Sequence, residues 1–378
     1  MNAIDANAGA TLARQVICHI LPRGMRYSSN GATSIDLFVS EMAAHSRYRV
    51  EVIAEFAQAP LAAGALHPLP SYRFANSWRR ARTIGRALAA INPAAVLVQQ
   101  HLPSAAMVSA RTQAPVILQK HNFIRRPRRS NVFGPLSAWR HLKQLNALAG
   151  LTFVSEQLRA DFENAWPLAT SPRCVIPNGV DFSAWRPAEN RENFVLVVGR
   201  ASPDKGLIEA ARGLAIALPR HPGWSAKFVV SEMGRDPAYF QRLCAELAAL
   251  GAQASLLSAL EFNEVKALNE RAAIALIPSL WREPFGRTCL EGHAGGAAVI
   301  SSGTGGLREV SGDHALYLPS LSPADIARTL ERLIDDAPLR AGLAMAGLAR
   351  VKQKFDVRAV AGALDDFCGE IIARRGRR

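Results

Sequence analysis

Residues 277–310 read IPSLWREPFGRTCLEGHAGGAAVISSGTGGLREV, and this stretch decides the fold. It begins as the short apolar strand AIALI ends at Ile277, passes through Pro278 and Ser279 into a polar loop carrying Glu283, and continues into Pro284, Phe285 and Gly286. From about Arg287 the pattern Thr288-Cys289-Leu290-Glu291 predicts the first turns of a helix, its start marked by proline and glycine. A helix start presents free N–H groups and a partial positive charge, which suits an anion such as a diphosphate. Glu291 lies five residues beyond Gly286, roughly 7 to 8 Å along the axis. That is about the distance from a nucleotide's diphosphate to its ribose hydroxyls. On spacing alone the two glutamates are ordinary, because the helix dipole favours acidic residues in a first turn. The neighbours add weight: a buried strand, AAVIS, and then Gly303, Gly305 and Gly306 leading into a second strand-to-helix turn.

Working outward, FVLVVGRASPDKGLIEAARGL gives a strand from Phe194 to Val198 followed by Gly199, Arg200, Asp204, Lys205 and Gly206. Two cations and close-approach glycines at a helix start describe a diphosphate site, although neither the dinucleotide nor the P-loop glycine pattern is present. Near the amino end a strand over Gln15–Ile20 enters the glycine-containing loop LPRGMRYSSNGATSID, with a helix expected over Thr33–Ala44. Strand-like runs recur at Arg49–Ala54, Ala95–Val98, Pro115–Leu118, Leu151–Val154 and Arg173–Ile176, with helix-like stretches between them. This alternation predicts a mostly parallel sheet covered on both faces. KHNFIRRPRRS, Lys120–Ser130, leaves one of these strands carrying His121 and the arginines Arg125, Arg126, Arg128 and Arg129. Helices are expected at the carboxyl end over Ala324–Ile334, Pro338–Phe355 and Val357–Arg374.

The chain's 378 residues suffice for two domains. A hydrophobic fraction of 49% with 20% charged residues fits a soluble globular class. The net charge of +14 is unevenly spread: residues 1–180 hold 20 Lys and Arg against 8 Asp and Glu, and the remainder 25 against 23. The basic excess of the amino-terminal half would suit nucleic acid, an anionic membrane or an anionic acceptor. A membrane-spanning apolar run and a secretory leader are both missing from the pattern. Five scattered cysteines without CxxC pairs predict a reduced, cytoplasmic protein with neither a disulfide framework nor structural zinc.

The stretch PSLWREPFGRTCLEGHAGGAAVISSGTGGLREV resembles the donor-binding signature of the family 4 retaining glycosyltransferases. The Glu-Pro-Phe-Gly start, the second glutamate at Glu291, the strand Gly296–Ile300 and the Gly-Gly-x-x-Glu turn at Gly305–Glu309 occur in order. The resemblance implies the α/β GT-B fold, two Rossmann-like doubly wound domains facing across a cleft. On that basis we expect a lead-in over 1–13, an acceptor domain over 14–182, a linker over 183–192, a nucleotide-sugar domain over 193–356, and a terminal helix over 357–378 crossing back to the first domain. It further implies that Arg200 and Lys205 hold the donor diphosphate together with the helix start at Gly286, Arg287 and Thr288. Glu291 would hold the ribose, Glu283 and the backbone at Phe285 and Gly286 the donor sugar. Gly31 would face the phosphates and His121 the sugar. Whether Glu283 is a nucleophile or an orienting group stays open. Arg287 departs from the family pattern, where a small or apolar residue is usual.

The implied activity is retaining transfer of a hexose from a UDP- or GDP-sugar to a glycan or lipid-linked acceptor, in lipopolysaccharide or exopolysaccharide synthesis. No metal or cofactor is expected. Peripheral attachment to the inner face of the cytoplasmic membrane would use the basic half. A nucleic-acid-binding protein or a non-catalytic sugar-nucleotide binder are the rivals, but no nucleic-acid module is apparent, so no nucleic-acid partner is expected.

Overall fold

A computed structural model describes residues 15–28, 33–57, 59–71, 76–124, 134–258 and 260–377. The chain separates into two compact units, one formed by residues 1–179 with 357–378 and the other by 180–356. The first contains β1 (Val16–Ile20), α1 (Ser34–His45), β2 (Arg49–Glu55), β3 (Ala65–Leu69), α2 (Ser77–Ile91), β4 (Ala95–Gln99) and α3 (Leu102–Ser109). It continues with β5 (Val116–Lys120), α4 (Gly134–Asn146), β6 (Gly150–Phe153), α5 (Glu156–Ala165) and β7 (Arg173–Val175). Its seven strands pair in the order β3-β2-β1-β4-β5-β6-β7, all parallel. Strands β1, β4 and β5 are buried along their whole length, as expected for unbroken apolar strands with both faces covered.

The second unit begins with β8 (Glu192–Arg200), α6 (Leu207–Ala217), β9 (Ser225–Ser231), α7 (Pro237–Ala248), β10 (Ala254–Ser258) and α8 (Phe262–Arg271). Next come β11 (Ala272–Ile277), α9 (Arg287–Ala294), β12 (Ala298–Ser301), α10 (Gly306–Ser311), β13 (Leu316–Tyr317), α11 (Pro323–Asp335) and α12 (Ala337–Phe355). The six strands run parallel in the order β10-β9-β8-β11-β12-β13. The order reverses between β8 and β11. In a doubly wound sheet this reversal opens a crevice beyond the carboxyl ends of the two strands, where ligands bind. Both phosphate-suited stretches of the sequence leave the sheet there, one from β8 and one from β11.

Two strands were not legible in the sequence. β3 carries an exposed Pro68 at the edge of the sheet, where a missing N–H is tolerated. β13 is two residues long.

The last helix, α13 (Val357–Gly376), packs in the first unit. Val357, Val360, Ala361, Leu364, Cys368 and Ile371 recur at helical spacing and join a core with Ile17, Phe38, Met42 and Tyr48. Asp365 on the same helix is 2% exposed. It accepts from the Ser46 hydroxyl at 2.7 Å and the Arg47 N–H at 2.6 Å, so the buried carboxylate is satisfied where the helix meets the end of α1. Helix α2 shows Arg79, Arg82 and Arg86 to solvent, whereas Arg80 is 3% exposed and donates to the Leu21 carbonyl at 2.7 Å. Among the described residues no helix is long and apolar enough to cross a membrane.

Leu364→Ala should destabilise the first unit by about 2 to 5 kcal/mol, read as a lower urea midpoint. Met345→Ala, at a position 71% exposed on the second unit, should leave that midpoint unchanged.

Candidate functional site

The site of the second unit is built from the loops after β8 and β11. Pro203–Lys205 forms one 3₁₀ turn, and Gly206 then takes φ +65° before α6 begins. A Cβ at Gly206 would stand 2.0 Å from the Pro278 carbonyl oxygen. Both the left-handed backbone and the contact therefore require glycine. The Asp204 carbonyl accepts from Leu280 N at 2.9 Å and Trp281 N at 3.0 Å. The two loops are thereby fixed to each other through one oxygen.

This lock delivers Lys205 to Glu283: Nζ donates to Oε1 at 2.5 Å, and both side chains are largely buried. The Ser279 hydroxyl donates to the same oxygen at 2.8 Å. Arg200 stands beside Asp204 at 3.3 Å and Glu232 at 3.7 Å. Behind Glu283, its carbonyl accepts from Gly306 N at 2.8 Å. A Cβ at Gly305 would lie 2.2 Å from that carbonyl, and one at Gly306 would lie 2.6 Å from the Phe285 backbone. The glycine pair thus lets the β12 turn close on the Glu283 loop backbone to backbone.

Gly286, at φ +113°, caps α9. Arg287 and Thr288 supply the first amides of that helix, and such amides have no carbonyl four residues earlier to meet. Glu291 is 8% exposed, and its Oε1 accepts from Arg287 Nε at 2.8 Å. The Arg287 guanidinium also lies over the Phe262 ring at 5.8 Å. The Phe285 side chain is in the core, edge-on to Phe355 at 5.5 Å, so only its backbone faces the site. His293 is fully buried on the inner side of α9, its Nε2 2.9 Å from the Ser311 hydroxyl. Burial and the nearby His314 and Arg350 push its pKa down to about 3. A recess of about 510 Å³ bounded by Arg191, Ala273, Gly296 and Arg340 lies at the opposite, amino end of this sheet, away from these side chains.

In the first unit, His121 follows β5. Its Nε2 lies 2.7 Å from Gln99 Oε1, its backbone N–H donates to Gln100 Oε1 at 2.9 Å, and its ring is edge-on to Phe38. The amide oxygen of Gln99 can only accept, so Nε2 carries the proton and Nδ1 a lone pair. The other end of the Gln99 amide donates to His19 Nδ1 at 3.1 Å. Burial first, then Lys120 and His19, push the His121 pKa down to about 3. The imidazole is therefore neutral through the physiological range. Gly31 and the arginines at 125, 126, 128 and 129 lie outside the described residues.

The structure thus brings together Arg200, Lys205, Glu283, Gly286, Arg287, Thr288 and Glu291 in one unit and sets His121 in the other. Sequence reasoning missed Ser279 as a partner of Glu283 and Gln99 as the partner of His121. The available signals were a serine directly after a buried strand, and a Gln-Gln pair ending one.

With this geometry in view, the family can be named. A model described as glycosyl transferases group 1 matches residues 181–349, and one described as Glycosyltransferase Family 4 matches residues 31–184. The chain belongs to the family 4 glycosyltransferases, of the GT-B type. It is 29% identical over 210 residues to a glycogen synthase of Mycobacterium tuberculosis, an alignment covering 54% of this chain and 49% of that protein. It is 26% identical over 206 residues to the lipopolysaccharide core biosynthesis mannosyltransferase LpcC of Rhizobium leguminosarum, covering 51% and 58%. The chain matches about half the length of these curated relatives. The fold is that of a sucrose-phosphate synthase from Thermosynechococcus elongatus, with a TM-score of 0.75, 16% identity and coverage of 96% and 100%. It is also that of Anabaena HepE solved with UDP and glucose, with a TM-score of 0.71, 16% identity and coverage of 94% and 99%.

With nitrogen-15 labelled histidine, His121 should give the Nε2–H tautomer with no titration between pH 5 and 8. Gln99→Leu should produce a mixture of tautomers. A His121 that protonates above pH 5 in the wild-type chain would contradict this network.

Proposed function

We propose that the chain is a retaining glycosyltransferase that moves a hexose from a UDP- or GDP-sugar to a glycan or lipid-linked acceptor. The observation that carries this reading is the Lys205–Glu283 pair at the switch point between β8 and β11, flanked by Arg200 and the start of α9. A cation salt-bridged to a carboxylate beside a helix start offers charge for a diphosphate and an acceptor for sugar hydroxyls a few ångströms apart.

The donor is assigned to the second unit and the acceptor to the first. Arg200, Lys205 and the first amides of α9 hold the diphosphate. Glu291, kept in place by Arg287, accepts from the ribose hydroxyls, and Glu283 accepts from the hexose hydroxyls. His121 takes the hydroxyl-binding role that the resemblance gives it, with Nδ1 as acceptor. As the bond between the anomeric carbon and the phosphate oxygen breaks, its electron pair goes to the nucleoside diphosphate. That charge grows beside Arg200, Lys205 and the helix start, where fixed dipoles and cations stabilise the transition state. The acceptor hydroxyl attacks from the face the phosphate leaves, and its proton passes to the departing phosphate oxygen. Glu283, engaged by Lys205 and Ser279 through Oε1, is an orienting group in this scheme. The lipopolysaccharide and glycogen enzymes among the relatives favour a glycan or lipid-linked acceptor.

Calorimetric titration with UDP-, GDP- and ADP-sugars should find binding to one nucleotide class, weakened about 10- to 100-fold in Glu291→Ala, the loss of charge-assisted hydrogen bonds. Proton NMR of the transfer product should retain the donor's anomeric configuration. Wild-type protein that binds none of the donors would overturn the reading.

A further inference from the structure

The recess at the amino end of the second unit's sheet, about 510 Å³ in volume, shares no residue with the donor site. Its floor stands where β8, β11 and β12 begin, at Asn193, Ala273 and Gly296, and its wall is the first part of α12. A concavity of this size with an apolar lining and a few convergent polar groups is the usual form of a small-molecule site.

Two half-buried guanidiniums are the charged donors of this lining. Arg191 Nη1 donates to the carbonyls of Glu270 at 2.8 Å and Gly295 at 2.7 Å, where α8 and α9 end. Arg340 Nη1 donates to the carbonyls of Leu333 and Ile334 in the last turn of α11, and its guanidinium lies over the Trp224 ring at 5.2 Å. These bonds cap helix ends, and they engage one nitrogen of each fork. Nε and Nη2 of both side chains meet no protein acceptor among the described residues. Arg191 Nη2 lies directly over Gly296, at φ +75°, where a Cβ would come within 2.1 Å of it. Glycine there leaves the guanidinium its place on the floor.

The carboxylates nearby are engaged elsewhere. Glu270 acts on Arg191 without ion-pair contact and takes Lys266 Nζ at 2.8 Å, while Asp336 acts on Arg340 and accepts from Leu339 N at 2.8 Å as the cap of α12. Glu189 lines the recess from an exposed position. Burial is the first influence on both guanidiniums and lowers their pKa. Each is a cation held partly out of water without a contacting counter-ion, and an oxyanion would complete its fork. The wall opposite is apolar: Ala337, Ala341, Ala344, Met345 and Leu348 recur at helical spacing along α12. Three of the five are alanines, which leave the space open, and Met345, 71% exposed, is a flexible side chain that adapts to what it covers.

We propose that this recess binds an amphiphilic organic anion, with its carboxylate or phosphate head on Arg191 and Arg340 and its hydrocarbon body along α12. Either head presents the pair of oxygens that a guanidinium fork matches. The site lies within the second unit alone, and the inference does not rest on the transferase reading.

The chain has six methionines, so carbon-13 methyl labelling of methionine in the whole chain follows Met345 directly, with Met345→Leu giving the assignment. Octanoate and octyl phosphate are the two probes. Each, titrated below its micelle concentration, should shift the Met345 methyl resonance saturably, and the one that half-saturates at lower concentration identifies the head. Arg340→Met should weaken that probe about 10-fold, the loss of a charge-assisted contact. Ala341→Trp, which fills the recess from an exposed helix position, should abolish the shift. Octyl glucoside has the same body without the charge and should leave Met345 unmoved at the concentration where the anion saturates. No response to either anion, an equal response to octyl glucoside, or undiminished binding in both variants overturns the inference.

Discussion

The Asp204 carbonyl oxygen, which accepts from two backbone amides of the loop after β11, sets the geometry on which the site of the second unit depends. A loop leaving β8 and a loop leaving β11 would otherwise be independent, each with its own conformational freedom to lose on binding. Fixing one to the other delivers the ammonium of Lys205 to the carboxylate of Glu283 before any ligand arrives. Gly206 is part of the same constraint, because the chain can pass the Pro278 carbonyl only without a side chain. The Gly305–Gly306 pair repeats the device from the other side, where β12 ends against the backbone of Glu283 and Phe285. Charged groups held this rigidly need little reorganisation as charge develops on a leaving group.

The two units divide their electrostatics differently. In the second, each cation of the site has an acidic neighbour: Arg200 beside Asp204 and Glu232, Lys205 on Glu283, Arg287 on Glu291. These pairs keep the side chains placed, and a diphosphate would compete with carboxylates for the cations. In the first unit His19 and His121 are bonded to each other through Gln99. His121, its pKa lowered by burial, is held as a neutral, directional hydrogen-bonding group. Lys120 beside it meets a carbonyl.

Much of this was legible in the sequence because the informative segments are contiguous. Ile277–Val310 holds a strand, a turn, a helix start, a second strand and a second turn, and each left its mark in apolar runs, proline and glycine. The α/β alternation and the three terminal helices followed from periodicity. What escaped depends on contacts between segments far apart in the chain. Nothing in Asp204 as a letter tells that its carbonyl binds Leu280 and Trp281, and Gly206 reads as an ordinary turn glycine until Pro278 is placed against it. Arg80 falls on the same helical stripe as Ala81, Ile84 and Leu88, so its burial was available to a stricter reading of the period, but three neighbouring arginines on the solvent face masked it. Ser279 and Gln99 were visible as polar residues ending buried strands, yet their partners come from tertiary structure.

The central claim is that Lys205 and Glu283 act as one unit in holding the donor. A double-mutant cycle of Lys205→Met and Glu283→Gln on donor affinity tests this directly. The account expects the double variant to bind the donor more tightly than the two single losses would sum to, with a coupling of about 0.5 to 3 kcal/mol, the range for residues in contact. Strictly additive losses would mean that the 2.5 Å contact does not couple the diphosphate and sugar ends of the site, and would contradict the account.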